Sequence, residues 1–224
     1  SGPNCIVTLA PPGSTPAALE IGNTTISMPG CNVANSGNLV AGNPNTRILA
    51  AGTANTGTCT GSAACVDAAK IPNMINGAPS PADPLSALTA PTNPGSCAPA
   101  TSGTVMTLPG NRCYSSIDAT GASTVNLGSG LIYITGPFQV GNNVTVNGTG
   151  VMLYFSGTAA TGACGSAVAG CISVGNHATF NLTAQTSGPY TGILMYQDPL
   201  NHLNASFLGN NPAYNLSGAM YFPG

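Results

Sequence analysis

The side chains that could perform acid–base chemistry are few and scattered. The 224-residue chain contains five carboxylates, at Glu20, Asp67, Asp83, Asp118 and Asp198. Glycoside hydrolysis needs two facing carboxyl groups, and a calcium site needs several oxygen ligands together. These five are spread along the chain, so the pattern predicts solvated carboxylates that cap turns. A polysaccharide-active β-helix enzyme is therefore the least favoured function.

A candidate metal site can be drawn from three residues of the C-terminal half. Asp198 lies four residues before His202, and His177 precedes both. Histidine is a common metal ligand, but Pro199 interrupts any helix that would place positions 198 and 202 on one face. We interpret both histidines as surface residues and predict no metal and no other cofactor. Neither a nucleophile elbow nor a phosphate-binding glycine motif occurs, so no catalytic residue is predicted.

Eight cysteines form an even set without the close pairs typical of zinc ligands. We therefore predict disulfides and an oxidising, extracellular or periplasmic compartment. Eight cysteines can pair in about 105 ways, so the sequence leaves the connectivity open. Short intervals favour loops closed by Cys59 with Cys65 and by Cys164 with Cys171. Cys5 with Cys31 and Cys97 with Cys113 are then the simplest remaining pairs.

The composition excludes several classes of partner. Charged residues make up 4% of the chain, against about 25% in an average soluble domain. Three basic residues and a net charge of −2 provide no patch for a phosphate backbone, so we predict no nucleic-acid partner. The longest apolar runs are shorter than the ~20 residues of a transmembrane helix. We expect no membrane span and interpret the chain as a processed product or an excised ectodomain.

The elements that position these residues are predicted to be short strands. Gly and Pro, 30 and 19 residues, interrupt every long helical period, which leaves short helical candidates at 65–77 and 83–88. From residue 124 onward, β-rich segments alternate with turns that contain Gly or Asn. These segments are STVNLGSG, LIYITGPFQVGN, NVTVNGTG, VMLYFSG, CISVGN, HATFNLTAQ, TGILMYQD, ASFLGNN and NLSGAMYF.

Two architectures fit this spacing, a parallel β-solenoid and an antiparallel sandwich. A sandwich needs hairpin turns at many junctions, but Asn-Gly occurs only at 76 and 147. A solenoid needs a residue with positive φ at each corner, which suits the GN and GNN segments at 141–143, 175–176 and 209–211. We therefore predict an all-β fold, a right-handed parallel β-helix (β-solenoid), with the antiparallel β-sandwich as the alternative.

The stretch 144–157, VTVNGTGVMLYFSG, distinguishes the two architectures. In a solenoid, NGTG is a corner and VMLYF is a strand covered on both faces. In a sandwich, Asn147 and Gly148 would be the central residues of a tight hairpin.

We predict a single β-solenoid domain over residues 1–224. It comprises N-terminal rungs at 1–52, a loop-rich insertion or linker at 53–112 and the main rungs at 113–224. Stacked rungs place like residues over like, which suits asparagine ladders and disfavours charges in register. The low charge content thus agrees with the architecture.

Two further surface patterns are weaker. Flat solenoid faces with regular threonines can order water, but only VTVNGT and TFNLT show the alternation, which are too few to tile an ice-binding face. The seven tyrosines could stack on sugars. Tyr133, Tyr154 and Tyr196, however, lie inside apolar strands, and we predict that they are core or covering-face residues.

Three segments carry a resemblance to a known family: LIYITGPFQVGNNVTVNGTGVMLYFSG, FNLTAQTSGPYTGILMYQDP and NLSGAMYFPG. In this order they resemble the surface region of the TadG-like proteins encoded with bacterial Tad (tight adherence, Flp-type) pilus systems. CIVTLAPPGSTPAALEIGNTTISMPGCNV and PADPLSALTAPTNPGSC resemble the Cys-to-Cys module and the linker of that family, so the resemblance covers 5–224. Family members usually carry an N-terminal membrane helix and a PG-x-Y turn, where this chain has PGNRCY at 109–114.

The resemblance implies an extracellular protein of the bacterial surface, linked to Tad-type pili or adhesion, and implies little chemistry. We expect a non-enzymatic structural protein. Self-assembly into filaments by stacking or strand exchange is a specific version, because the end rungs of a solenoid have strand edges available for pairing. The expected partners are further copies of the chain or other surface and pilus proteins. The alternative is a glycan- or receptor-binding adhesin domain.

Overall fold

A computed structural model describes residues 4–9, 17–83, 85–101, 103–157, 161–163, 168–204 and 209–222. Over these residues, each strand pair whose register is described is parallel. The prediction of an all-β parallel β-solenoid is confirmed. The alternative, an antiparallel sandwich, is wrong. Contacts divide the chain into two compact units, one reaching Leu88 and the other spanning Thr89–Phe222.

The strands of the first unit stack in three ladders. One contains β1, residues 32–35 of β3, residues 52–55 of β5 and β7, and a second contains residues 25–28 of β3 and 47–50 of β5. The third contains β2, β4 and β6. Asn35 and Asn55, on successive rungs, are 20 residues apart. The strands are β1 Asn4–Thr8, β2 Ala17–Ile21, β3 Thr25–Asn35, β4 Asn38–Ala41, β5 Arg47–Asn55, β6 Cys59–Thr60 and β7 Met74–Ile75.

A column of asparagines joins the rungs of this unit at the ends of β3 and β5. Asn35 Nδ2 donates to Asn55 Oδ1 at 3.2 Å, and Asn55 Nδ2 donates to Asn76 Oδ1 at 3.1 Å. The Thr8 hydroxyl donates to Asn35 Oδ1. Asn35 and Asn55 are fully buried. Because a buried amide without partners is costly, these bonds fix the register of the rungs.

The second unit contains the segments predicted from residue 124 onward. Its strands are β8 Ala98–Ala100, β9 Val105–Leu108, β10 Arg112–Ala119, β11 Thr124–Leu127, β12 Gly130–Ile134, β13 Pro137–Val140, β14 Thr145–Phe155, β15 Thr161–Ala163, β16 Cys171–Val174, β17 Thr179–Ala184, β18 Ile193–Gln197, β19 His202–Asn204, β20 Ala213–Ser217 and β21 Ala219–Phe222.

These strands form three ladders that the chain visits in turn. Ladder A runs β9, β11, the first part of β14, β17 and β20. Ladder B runs the first part of β10, β12, the second part of β14, β18 and β21. Ladder C runs β8, the second part of β10, β13 and β16. β15 and β19 pair separately.

Strand β14 contains the corner predicted at NGTG. Its residues 145–148 pair in ladder A and 151–155 pair in ladder B, and Gly150 between them has φ of +66°. Asn147 and Gly148 lie within the strand, so they do not form a hairpin. The expectation of two separate strands is wrong, because a glycine with positive φ redirects the backbone while pairing continues on both sides.

The run VMLYF at 151–155 is covered on both faces, as predicted. None of its five side chains is more than 1% exposed. Val151, Leu153 and Phe155 belong to the hydrophobic core of this unit. Met152 and Tyr154 alternate with them and therefore lie on the opposite face of the strand.

The predicted GN and GNN segments form stacked corners that lead into ladder A. The left-handed residue is the third in each corner: Asn143, His177 and Asn211, with φ of 58°, 55° and 53°. The prediction placed Gly and Asn in this role. His177 was not expected there, although histidine is among the residue types that tolerate this region.

The first two residues of each corner are selected by close stacking. Asn142 Oδ1 accepts from Asn176 N at 2.8 Å, and Asn176 Oδ1 accepts from Asn210 N at 2.9 Å. A Cβ at Gly175 would lie 2.6 Å from the carbonyl carbon of Gly141. The glycine is therefore needed for the close approach of successive rungs.

The two predicted helices are wrong. Ala63–Val66 forms one 3-10 turn capped by Ser62, and the rest of 65–77 consists of turns and β7. The described part of 83–88 contains a turn. Pro72 and the shortness of both segments prevent helix propagation.

Three disulfides join Cys5 to Cys31, Cys59 to Cys65 and Cys97 to Cys113, the pairs expected from spacing. Cys171 is also disulfide-bonded, whereas its expected partner Cys164 lies outside the described residues. The disulfides are compatible with an oxidising compartment. Among the described residues, no helix is long and apolar enough to cross a membrane.

The boundary between the two units falls inside the predicted loop-rich segment 53–112. That segment also contains rung strands, because β8 pairs with β10 and β9 pairs with β11. In the second unit, pairing between rungs therefore begins before residue 113, where the main rungs were predicted to start. Between β7 and β8, the described residues contain turns and irregular backbone. The single domain over 1–224 stays a prediction.

The buried asparagine column yields the first prediction. Asn55→Ala removes the acceptor of Asn35 Nδ2 and the donor to Asn76, so it should lower the free energy of unfolding by about 1–3 kcal/mol. Asn45→Ala, on an exposed turn of the same unit, should change it by less than about 0.5 kcal/mol. Urea unfolding of both variants measures the difference, and equal effects would contradict a structural role for the column.

Candidate functional sites

The outer side of ladder B carries a column of tyrosines. Ring centroids are 4.9 Å apart for Tyr133 and Tyr154, 5.6 Å for Tyr154 and Tyr196, and 5.0 Å for Tyr196 and Tyr221. Tyr154 and Tyr196 are buried, whereas Tyr133 is half-buried. The prediction that these tyrosines are covering-face residues is confirmed for the two buried rings, while Tyr133 retains a surface available for contact.

The loop after β18 places a carboxylate beside this column. Asp198 Oδ2 accepts a hydrogen bond from the Tyr154 hydroxyl, and Asp198 Oδ1 accepts from Leu200 N at 2.8 Å. The Asp198 amide donates to the Phe155 carbonyl oxygen at 2.9 Å. Burial raises the pKa of Tyr154 well above its ordinary value, and the hydrogen bond and negative charge of Asp198 raise it further.

Two buried amides hold the same loop. Gln197 Nε2 donates to Asn201 Oδ1 at 3.2 Å and to the Leu203 carbonyl oxygen at 2.8 Å. Asn201 Nδ2 donates to the Gly170 carbonyl oxygen at 2.8 Å. Because Asn201 is fully buried and Gln197 nearly so, these bonds fix the position of Asp198 between them.

A pocket of about 410 Å³ opens beside Tyr133 and Asp198. Its volume lies within the range of small-molecule sites. The half-buried Tyr133 ring offers a surface for an apolar ring face, and the Asp198 carboxylate can accept hydroxyl hydrogens. This combination suits a polyhydroxylated ligand. The lining residues are Tyr133, Thr135, Ser156, Gly157, Val168, Ala169 and Asp198.

The outer side of ladder A carries a second feature, which we call the Thr–Asn face. Its central column contains Asn126, Asn147, Asn181 and Asn215, which lie in register on β11, β14, β17 and β20. The amide nitrogens of Asn147, Asn181 and Asn215 each donate to the amide oxygen of the preceding asparagine, at 3.4, 3.0 and 2.8 Å. The column therefore holds its amide groups in one orientation along the face.

Hydroxyl residues flank the asparagine column on both sides. On one side Thr124, Thr145 and Thr179 lie in register, followed by Ala213 on β20. On the other side Thr149, Thr183 and Ser217 are exposed, and Thr183 pairs with Ser217. No charged residue occurs among these positions.

The described aspartates act as turn caps, as predicted. In each case Oδ1 accepts a hydrogen bond from the amide two residues further on, at 2.8 to 3.0 Å; the residues are Asp67, Asp83, Asp118 and Asp198. Bonds from the Thr120 side chain and amide lower the pKa of Asp118. Asp67 also lies 3.5 Å from the Lys70 ammonium group. Glu20 lies in β2.

The structure does not assemble the candidate metal site. His177 is exposed at a corner, His202 lies in β19, and Asp198 is bound to Tyr154. Within the described ranges, no three His, Cys, Asp or Glu residues group as metal ligands.

Sequence reasoning missed both the pocket and the Thr–Asn face. Asp198 and Tyr133 are 65 positions apart, so no local motif connects them. The asparagines of the face were visible as TVN, TVN, FN and YN words, but 34 residues separate those of the later rungs. Aligning the strands at these intervals would have revealed the column.

No protein-family model, curated protein or solved structure matches this chain. The resemblance to TadG-like proteins therefore stays a prediction from its motifs.

The Tyr154–Asp198 contact predicts a specific response to alkaline pH. Because the folded-state pKa of Tyr154 is raised above its ordinary value of 10.0, its contribution to stability is present below about pH 10 and is lost as pH rises above it. Tyr154→Phe should therefore weaken the alkaline loss of stability, measured as the free energy of unfolding from pH 8 to pH 11.

Tyr190→Phe is the matched control, because the Tyr190 hydroxyl donates to the Thr89 carbonyl oxygen rather than to a carboxylate. It should leave most of the alkaline loss in place. An unchanged profile in Tyr154→Phe would contradict the assigned environment of this hydroxyl.

Proposed function

We propose that this chain is a non-enzymatic extracellular structural protein of the bacterial surface, linked to Tad-type pili or adhesion, and that it associates with further copies of itself. The observation that carries the proposal is the uncharged, exposed edge of β9 at one end of ladder A. The disulfides and the low charge content support an extracellular scaffold. The motif resemblance supports the link to pili.

Half of the backbone polar groups of β9 point away from β11, its neighbour in ladder A. The carbonyl oxygens of Thr104 and Leu108 accept from Thr124 N and Gly128 N, at 3.3 and 2.8 Å. In a parallel ladder, alternate residues point toward opposite neighbours. Val105 and Thr107 therefore direct their backbone groups to the outer edge, and among the described residues β9 pairs with β11 alone.

The strand at this edge contains no charged residue, proline or bulge that would oppose pairing. Natural edge strands carry lysine, proline or a bulge, whereas β9 reads VMTL and Val105 is 61% exposed. With a net charge of −2 over the whole chain, two copies repel each other little. The edge therefore suits a strand from a second copy, which would extend the ladder by one rung.

Val105→Lys tests this edge. An exposed lysine should block strand addition without entering the core, so oligomers of the native protein should be lost or weakened by about tenfold or more. Thr107→Pro removes an outward N–H and should act likewise. Light scattering after size-exclusion chromatography and electron microscopy over a concentration series provide the measurement.

Val105→Thr is the matched control, because it keeps a β-branched, uncharged side chain at the same position, and it should assemble like the native protein. A native protein that remains monodisperse at high concentration would exclude self-association. Assembly that survives both Val105→Lys and Thr107→Pro would exclude β9 as its site.

The pocket beside Tyr133 favours a second candidate function, that of a glycan-binding adhesin domain. A half-buried ring and a fixed carboxylate within one pocket provide the stacking surface and the hydroxyl acceptor that a sugar requires. The two functions are compatible, since Tyr133 lies on ladder B and β9 lies on ladder A.

Tyr133→Ala should weaken glycan binding by about fivefold or more, since aromatic stacking contributes about 1 kcal/mol beyond buried area. Tyr133→Phe keeps the ring and should bind nearly as the native protein does. A glycan array identifies ligands, and saturation-transfer NMR with titration measures their affinity. Equal affinity of the native and Tyr133→Ala proteins, or no ligand on the array, would exclude the pocket as a glycan site.

A further inference from the structure

The Thr–Asn face is a repeating array of small polar side chains. Its rungs are ~4.8 Å apart across the strands, and outward residues repeat every ~6.7 Å along them. The central column is hydrogen-bonded from rung to rung. Threonine on a strand has one strongly restricted χ1 angle. The hydroxyl, methyl and amide groups therefore hold a nearly fixed two-dimensional pattern.

This array differs from a site for a soluble ligand. Ligand pockets are concave and lined mainly by apolar and aromatic groups, whereas the outward positions described for this face carry threonine, asparagine, serine and alanine. It also lacks the lysines and arginines that bind anionic polymers. The face therefore suits a partner whose own surface repeats in two dimensions at similar spacings.

The polar groups of the face can still bind water in an ordered way. Each amide has two N–H donors and two acceptor positions, and the column engages one donor of Asn147, Asn181 and Asn215. The remaining groups and the threonine hydroxyls repeat every ~4.8 Å across the rungs and every ~6.7 Å along each strand, so water bound to them would form a layer with the same two-dimensional repeat. Charged groups would organise water around themselves instead, and the face has none.

We propose that the Thr–Asn face binds ice through water ordered on its threonine hydroxyls and asparagine amides. Local alternation in the sequence is limited to VTVNGT and TFNLT, which are too few to tile a face. The register of ladder A instead brings Thr107 of β9 and the asparagines of β11, β14, β17 and β20 into one column. The face is thus larger than the local alternation indicates.

The test uses the whole oxidised chain and two ice assays. Fluorescently labelled protein should become incorporated into a slowly growing ice hemisphere, and unlabelled protein should slow the recrystallisation of ice grains in a frozen film. Thr145→Tyr and Thr179→Tyr each insert a bulky ring into the array. Both should reduce incorporation and recrystallisation inhibition to the level of a protein that does not bind ice.

Gln139→Tyr is the matched control. Gln139 lies on β13 between Asp118 and Ser173 on the outer side of ladder C, so it receives the same ring on a different face and should keep full activity. Tyrosine is favoured in strands. Circular dichroism and thermal unfolding establish that all three variants retain the fold before the ice assays are compared.

Three results would overturn the proposal. Exclusion of the native protein from the growing ice hemisphere would show that the chain does not bind ice. Equal activity in Thr145→Tyr, Thr179→Tyr and the native protein would assign ice binding elsewhere. Loss of self-association in these two variants, with unchanged behaviour toward ice, would identify the face as an interface between copies.

Discussion

The structure depends on backbone hydrogen bonding between parallel strands, which places each residue about 4.8 Å from its counterpart on the next rung. Whatever occupies a position must tolerate a neighbour of the same kind. Asparagine satisfies this condition because its amide both donates and accepts, as in the buried pair Asn35 and Asn55 and the exposed pair Asn147 and Asn181. Like charges do not satisfy it, and charged residues make up only 4% of the chain.

The same constraint explains the corners and the outer tyrosines. Rungs approach so closely at Gly175 that a Cβ would clash with the rung below, which selects glycine for its lack of a side chain. Tyrosines on the outer side of ladder B stack with centroids about 5 to 6 Å apart, a favourable separation for tilted aromatic rings. Stacking of like residues thus stabilises the solenoid and also builds its surface features.

The sequence was sufficient for the parallel architecture, most strand positions and the turn-capping aspartates, because each leaves a local signal. The alternation of polar and apolar residues within TFNLT identifies a strand. An Asp at the start of a turn identifies a cap, because its carboxylate can accept from the backbone N–H two residues further on. Register leaves no such signal. Whether Asn147 lies over Asn126 depends on the length of the intervening turn. Tyr133 and Asp198 line one pocket because several rungs of unequal length place them on the same side of the coil. The Gly150 corner was located, but its continuity with the strand depends on pairing to β11 and β12, which a single segment does not encode.

The proposed self-association and the proposed ice binding use groups of ladder A that point in different directions. Strand addition at β9 uses backbone groups that point along the ladder, whereas the Thr–Asn face uses side chains that point away from it. Side chains of successive residues alternate between the two faces of a strand, and their backbone groups alternate between its two edges. Thr107 therefore contributes its side chain to the Thr–Asn face and its backbone N–H and C=O to the outer edge of β9. Each added copy would extend the edge without covering the face. If the copies stacked in register, the array of hydroxyls and amides would lengthen with the assembly, and binding to a periodic surface would gain from many weak contacts held at fixed spacing.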